Sequence, residues 1–286
     1  MATPAPPSLI VHADDFGLSE AVNHGILDAH SNGVLTSTSI MAGAEAFDHA
    51  VGLSLASPSL DVGVHLTLVE EQPVLDPALI PSLLGENRRF HRHATVFTSE
   101  YFRGRISLVQ VEAEFEAQIG KVLAAGLRVS HLDSHQHLHM LPGVLKVTLD
   151  LARRHGVPFV RFPRETIAPY MLRAPAGASR VAQLAVLNLF CALGEKRFAG
   201  RRTDHFVGFY HGGDLNRANL RALAARLPAC GVTELMCHPG RDDPASGRAH
   251  WGYGWAAELE ALTDPEVARI LQRRGVSLIS YRDMAS

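Results

Sequence analysis

Near the middle of the chain, His131, Asp133, His135, His137 and His139 recur at every second position of Val-Ser-His-Leu-Asp-Ser-His-Gln-His-Leu-His-Met (129–140). Alternate side chains of an extended strand share a face, so this spacing predicts four imidazoles and a carboxylate on one side. Buried with no task, all five would need hydrogen-bond partners; as metal ligands or proton carriers they have a use. Three further signals carry the same chemistry. His65 closes Asp-Val-Gly-Val-His, His238 closes Glu-Leu-Met-Cys-His, and Asp14-Asp15 follows the apolar run Ser-Leu-Ile-Val-His-Ala. Together these residues read as a metal-dependent hydrolase site.

Divalent metals take carboxylate oxygen and neutral imidazole nitrogen, and a catalytic site typically uses three protein ligands and leaves room for water. Asp15, His65 and one histidine of the 131–139 run would complete such a set. Each alone has an ordinary reading: a strand-end histidine satisfied by hydrogen bonds, or an Asp-Asp turn or helix cap. Adjacent aspartates face opposite ways in a continuing strand. Both reach one mouth only if the chain turns there, which Gly17 permits. One carboxylate then binds metal while its neighbour stays free as a base. Spacing does not choose His135 over His131, His137 or His139, and a helical segment would pair His135 with His139 instead.

Those residues need a scaffold, and short apolar runs alternate with longer helical patterns along the chain. Strands are expected at 8–13, 35–41, 61–67, 129–135, 158–162, 232–237 and 276–281. Helices are expected at 19–31, 44–56, 108–125, 143–155, 178–198, 216–228 and 256–274, the first capped by Ser19 and closed by Gly33. Such alternation implies parallel pairing with helices outside, and favours one (β/α) barrel domain over 1–286, incomplete or distorted. Asp14, Asp15, His65, His135, Arg161 and His238 then fall at strand C-terminal ends, the active rim of such barrels. Segments 69–107 and 163–204 break the regularity and read as rim insertions that shape substrate access.

Composition narrows the class. A net charge of −2 without a basic block argues against a nucleic-acid surface. Three cysteines, Cys191, Cys230 and Cys237, form no CxxC pair and point to a reducing compartment. The opening Met-Ala-Thr-Pro-Ala-Pro-Pro-Ser has neither a basic nor an apolar signal region. A soluble cytoplasmic protein is expected.

Ala-Asp-Asp-Phe-Gly-Leu-Ser (13–19), Gly-Val-Leu-Thr-Ser-Thr-Ser (33–39), Val-Gly-Val-His-Leu-Thr-Leu (62–68), His-Leu-Asp-Ser-His-Gln-His-Leu-His-Met (131–140) and Glu-Leu-Met-Cys-His-Pro-Gly (234–240) resemble the YdjC-like family of carbohydrate deacetylases. The resemblance runs from about Ser8 to Met284. Val-Arg-Phe-Pro-Arg-Glu (160–165) and Met-Cys-His-Pro-Gly-Arg (236–241) resemble its hopanoid-biosynthesis branch, HpnK. The resemblance implies an incomplete (β/α) barrel that removes the acetyl group from an N-acetylated amino sugar. It implies metal ligation by Asp15, His65 and His135, a base at Asp14 and an acid at His238. Two imidazoles and a carboxylate suit zinc; nickel, cobalt and magnesium stay open.

Other residues carry two readings each. Asp133 orients a ligand imidazole or bonds the backbone. Arg161 and Arg164 tune Asp14, hold sugar hydroxyls, or form rim salt bridges. Trp251 and Tyr253, in His-Trp-Gly-Tyr-Gly-Trp (250–255), stack on a sugar or pack a loop. The 178–198 helix is apolar nearly all round, the mark of a core helix or a dimer interface. Its alternative is a wall for a lipid aglycone, which suits an N-acetylglucosaminyl hopanoid and brings contact with the cytoplasmic face of a membrane. Lipid-free N-acetylglucosamine oligosaccharides, another metal-dependent hydrolysis such as phosphoester cleavage, and a non-catalytic sugar- or lipid-binding protein are the competing functions.

Overall fold

The computed structural model describes residues 6–173, 177–195, 201–243 and 248–285. Outside these lie the first five residues, on which much of the signal-peptide expectation rests, and residues 196–198 of the expected apolar helix. In chain order the elements are β1 (Ser8–Phe16), α1 (Glu20–Asn32), β2 (Ser37–Ile40), α2 (Phe47–Ala56), β3 (Asp61–Leu66), α3 (Ala94–Phe102), α4 (Leu108–Ala124), β4 (Val129–Ser134) and α5 (Pro142–Arg154). There follow β5 (Phe159–Val160), α6 (Gly177–Glu195), β6 (His205–Val207), α7 (Arg217–Ala224), β7 (Val232–Cys237), α8 (Trp255–Leu262), α9 (Pro265–Arg273), β8 (Ser277–Leu278) and α10 (Tyr281–Ala285).

The strands form one parallel sheet in the order β5-β4-β3-β2-β1-β7-β6, with β8 beside the start of β1. It curls into a half-barrel with helices packed around it, the incomplete barrel expected from the alternation. β1 lies within the sheet, between β2 and β7, and is buried from Leu9 to Phe16, as a strand covered on both faces must be. The apolar core includes Ile26 of α1, Phe115 of α4, Leu151 of α5 and Leu262 of α8. Ser19 Oγ accepts from Val22 N to start α1, and Gly33 follows its last residue.

Several elements differ from expectation, among them α10, which starts inside the expected strand 276–281. β6 is only three residues long, too short to stand out as an apolar run. The 69–107 segment holds α3 rather than irregular chain alone. The expected helix 256–274 is two, because Asp264 caps a new helix by accepting from Glu266 N and Pro265 fits only a first turn. β4 stops at Ser134, and Gln136 and His137 take left-handed backbone angles (φ 55° and 53°) within a tight turn over His135–Met140. The 131–139 run therefore shares no single strand face.

Candidate active site

The parallel strands deliver polar side chains to one rim. Asp14 and Asp15 come from β1, His65 from β3, His135 from just past β4, Arg161 from just past β5 and His238 from just past β7. The turn that lets two adjacent aspartates share the mouth starts before Gly17. The β1 register shifts between Ala13 and Phe16, and Asp15 itself has φ 66°. Aspartate tolerates this left-handed region better than most side chains.

At the rim, Asp15 Oδ1 lies 3.3 Å from His65 Nε2 and 3.0 Å from His135 Nδ1, and all three side chains are buried. The other nitrogen of each ring is held from behind. His65 Nδ1 is 2.9 Å from Asp133 Oδ1, and His135 Nε2 is 2.6 Å from Glu70 Oε2. Ser39 Oγ donates to Asp133 Oδ2 (2.9 Å). Asp15, His65 and His135 bring ligand atoms close enough to hold one metal ion. Asp15 Oδ2 is buried with no hydrogen-bond partner, which fits a donor set short of its cation. Charge agrees. Burial would raise the Asp15 carboxyl, yet His135 and His65 hold it well below the usual carboxylate range. Burial would lower the imidazoles, yet Asp133 and Asp14 push His65 up to about 10, and Asp15 and Glu70 push His135 up to about 9. The acids demand positive charge at this spot, which imidazolium protons or a divalent cation supply.

Beneath the rim lies a second polar layer. Arg161, 1% exposed, donates through Nε to Glu234 Oε1 (2.7 Å) and through its terminal nitrogens to both oxygens of Asp14 (2.8 and 2.9 Å). It also pairs with Asp133 Oδ2 at 2.8 Å. Arg161 is too deep to hold sugar hydroxyls; it sits behind Asp14. Burial opposes ionisation of Asp14, but Arg161, His65 and His12 keep its carboxyl well below the ordinary range. His12 Nε2 lies 2.7 Å from His131 Nε2, His131 stacks on Tyr281, and the Tyr281 hydroxyl donates to Glu234 Oε2 (2.5 Å). Gly63 makes room: a Cβ there would meet His131 at 2.4 Å. His12, His131 and Asp133 also cluster at metal-binding distances, but the adjacent Arg161 guanidinium already supplies the cation.

The remaining histidines of the run divide. His139 is bonded by Ser134 Oγ (2.6 Å) and the Arg161 carbonyl (2.9 Å), a scaffold role. His137 packs against Phe206 and Phe209, its Nδ1 buried and unpartnered. His238 faces the cleft beside the Tyr253 ring, with centroids 4.6 Å apart, and its Nδ1 is likewise unpartnered. Trp251 lies tilted over His135 at 5.1 Å. Arg164 takes the salt-bridge reading: its side chain is exposed and pairs with Glu195 (2.9 Å) rather than reaching Asp14 or the cleft. Among the described residues, the sequence reading passed over Glu70, Glu234, His12 and Tyr281. Glu234 carried a signal, an acid in the middle of an apolar strand; Glu70 sat unremarked five residues after His65.

A cleft of about 320 Å³ opens over the rim, lined by Asp14, His135, His137, Arg180, His238 and Tyr253. Gln136, His137, Gln183 and Phe209 also border an apolar groove of about 670 Å³ between α3 and α6. α6 buries Leu184, Leu187 and Cys191 but leaves Val186 and Leu189 more than half exposed, so it is no core helix.

Residues 8–273 match the family described as YdjC-like protein. The chain belongs to that family. YdjC-like relatives include carbohydrate deacetylases of Geobacillus stearothermophilus, 33% identical over 97% of this chain and 98% of that one, and of Brevibacillus brevis, 32% identical over 96% and 99%. A chitooligosaccharide deacetylase of Serratia marcescens is 29% identical over 96% of this chain and 98% of its own length. A solved Enterococcus faecalis structure, described as a cellobiose-phosphate cleavage protein, superimposes with a TM-score of 0.76 at 28% identity and covers 98% of this chain and 99% of its own.

Proposed function

We propose that this YdjC-like protein is a metal-dependent carbohydrate deacetylase that hydrolyses the acetamide of an N-acetylated amino sugar. The observation that carries the reading is the Asp15–His65–His135 cluster, with its unpartnered Asp15 oxygen, beside an ionised Asp14 in a cleft. The deacetylase relatives support the carbohydrate substrate. Asp14 is too weakly basic to deprotonate bulk water, so the reaction needs the Lewis acidity that a divalent ion held by Asp15, His65 and His135 would supply. Two nitrogens and an oxygen suit zinc, with nickel, cobalt and magnesium as competitors.

Arg161 keeps Asp14 ionised, and Asp14 takes the proton of the attacking water as oxygen joins the acetyl carbon. His238, at the end of β7 beside the β1 end that carries Asp14, protonates the nitrogen as the C–N bond breaks. Acetate and a free amine leave. Asp133 orients His65 from behind, Tyr253 lines the cleft beside His238, and Trp251 packs against His135. Acetate release from N-acetylglucosamine oligosaccharides by metal-loaded protein tests the reading. Absence of acetate with all four metals, on both oligosaccharide and glycolipid substrates, would leave a binding protein or another hydrolase.

The apolar groove favours a finer reading of the substrate: a sugar carrying a lipid aglycone, of the N-acetylglucosaminyl hopanoid kind associated with the HpnK branch. The groove meets the cleft at His137 and Phe209, and the exposed apolar side of α6 adjoins it. On this reading the enzyme works in the cytoplasm against the membrane face, with its three cysteines as free thiols.

A further inference from the structure

Glu70 lies in the turn after β3, five residues beyond His65, and its backbone holds φ 69°. A side chain other than glycine or a short polar one is strained there, and such strain persists only where surrounding structure fixes it. Two anchors do so. The backbone N of Glu70 donates to the His91 carbonyl (2.9 Å), and Oε2 lies 2.6 Å from His135 Nε2. The next residue is anchored too: Arg248 donates to Glu71 Oε1 (2.9 Å), tying the turn to the loop that carries Trp251.

A neutral imidazole has one N–H and one lone pair, so its hydrogen-bond partner decides which nitrogen can bind a metal. The Glu70 carboxylate can only accept, so it selects the tautomer with hydrogen on Nε2. That leaves the Nδ1 lone pair facing Asp15, 3.0 Å from Oδ1. His65 is arranged the other way round. Asp133 takes its Nδ1–H, and Nε2 faces the same Asp15 oxygen. We propose that Glu70 is a positioning residue of the metal site, fixing His135 as an Nδ1 ligand opposite the Nε2 ligand His65. The inference rests on the metal reading above. Carboxylates behind a ligand imidazole typically alter metal affinity by about 10–100-fold.

The test is titration of chelator-stripped protein with cobalt(II), following affinity and the visible absorption that reports ligand geometry. Glu70→Gly relaxes the left-handed backbone while deleting the carboxylate. It should still unfold cooperatively without metal, yet bind cobalt about 10–100-fold more weakly and with an altered spectrum. Glu70→Gln keeps an oxygen that can accept the Nε2–H, and should recover part of both. Wild-type affinity and spectrum in Glu70→Gly would overturn the assignment and leave Glu70 a turn residue. If Glu70→Gly fails to fold, Glu70→Asn decides, since asparagine tolerates the left-handed backbone but is one methylene too short to reach Nε2: wild-type affinity and spectrum overturn the proposal, and weaker binding with an altered spectrum supports it. Wild-type protein that binds no cobalt would sink the metal reading, and this proposal with it.

Discussion

Two polar layers lie one above the other, and both are buried and rich in histidine and carboxylate. In the lower layer every side-chain nitrogen and oxygen of His12, His131, Asp133, Arg161, Glu234 and Tyr281 has a partner. In the rim layer Asp15 Oδ2, His137 Nδ1 and His238 Nδ1 have none. Burial and perturbed titration are shared, so neither separates scaffold from site. Between these two layers hydrogen-bond completion does, while Asp61 Oδ1 and Trp255 Nε1 lack hydrogen-bond partners outside both. A completed network has spent its donors on holding the barrel, whereas unmatched atoms at the rim remain able to bind something from outside.

The largest expected effect tests that contrast through stability. Arg161→Met strands the carboxylates of Asp14, Asp133 and Glu234 in the interior. Breaking such a buried network should destabilise metal-free protein by about 3–5 kcal/mol, or prevent folding. Asp15→Asn keeps shape and tolerance of the left-handed backbone, and should cost under about half as much. Urea unfolding of both variants measures the difference, and equal losses would erase the distinction between the layers.

Within the rim, binding and proton transfer should separate. Asp15→Asn and His135→Ala should lose metal, because each removes one of three protein ligands. Asp14→Asn should retain it while turnover falls about 10²–10⁴-fold, since an amide cannot take the water proton. Elemental analysis beside acetate release reads both quantities. Metal retained in the first pair, or near-normal turnover in Asp14→Asn, would reassign these residues.

Titration gives a smaller signal. In metal-free protein His65 is raised to about 10 and His135 to about 9, above the 6.5 of an unperturbed imidazole. Their protonation therefore stabilises the fold fully below about pH 6.5, and that contribution disappears as pH rises through 9 to 10. A bound cation takes the place of those protons, so metal-loaded protein should lack this alkaline loss. It should instead shed metal on acidification. Between pH 6.5 and 10 the chelated protein should lose on the order of 5 °C more melting temperature than the loaded protein. Parallel alkaline profiles would mean that neither imidazole gives up a proton to metal.

Much of this arrangement was legible in the residues. Apolar runs ending in Asp14-Asp15, His65 and His238 located the rim because parallel strands all point their C-terminal ends the same way. The 131–139 run misled beyond Ser134: no glycine announces the left-handed turn at Gln136 and His137, so its alternation read as a longer strand. Arg161 stood at the right strand end, but its depth was illegible, since arginine is rarely buried unless distant acids pair with it. Those acids are 147, 28 and 73 residues away along the chain, at Asp14, Asp133 and Glu234. The role of α6 stays open in the sequence for the converse reason. Composition gives an apolar helix, and only the fold decides how much of it is covered.

The smallest expected effect compares the groove with the outer face of α6. Val186 lines the groove and is 53% exposed, whereas Leu189 is 57% exposed and lies outside it. Both accept a charge without burying it in the core, unlike Leu187, which is 8% exposed. Apolar contact contributes about 25 cal/mol per Å², so losing a valine-sized contact to a lipid aglycone, with a carboxylate in its place, should cost on the order of 1.4 kcal/mol. That corresponds to about tenfold in affinity. Val186→Asp should thus raise KM about tenfold for a detergent-dispersed N-acetylglucosaminyl hopanoid, and leave chitobiose turnover unchanged. Leu189→Asp should leave both KM values alone but weaken binding to lipid vesicles. If Val186→Asp affects neither substrate, or both equally, the groove does not receive the aglycone. If Leu189→Asp binds vesicles as wild type does, this face of α6 is not what meets the membrane.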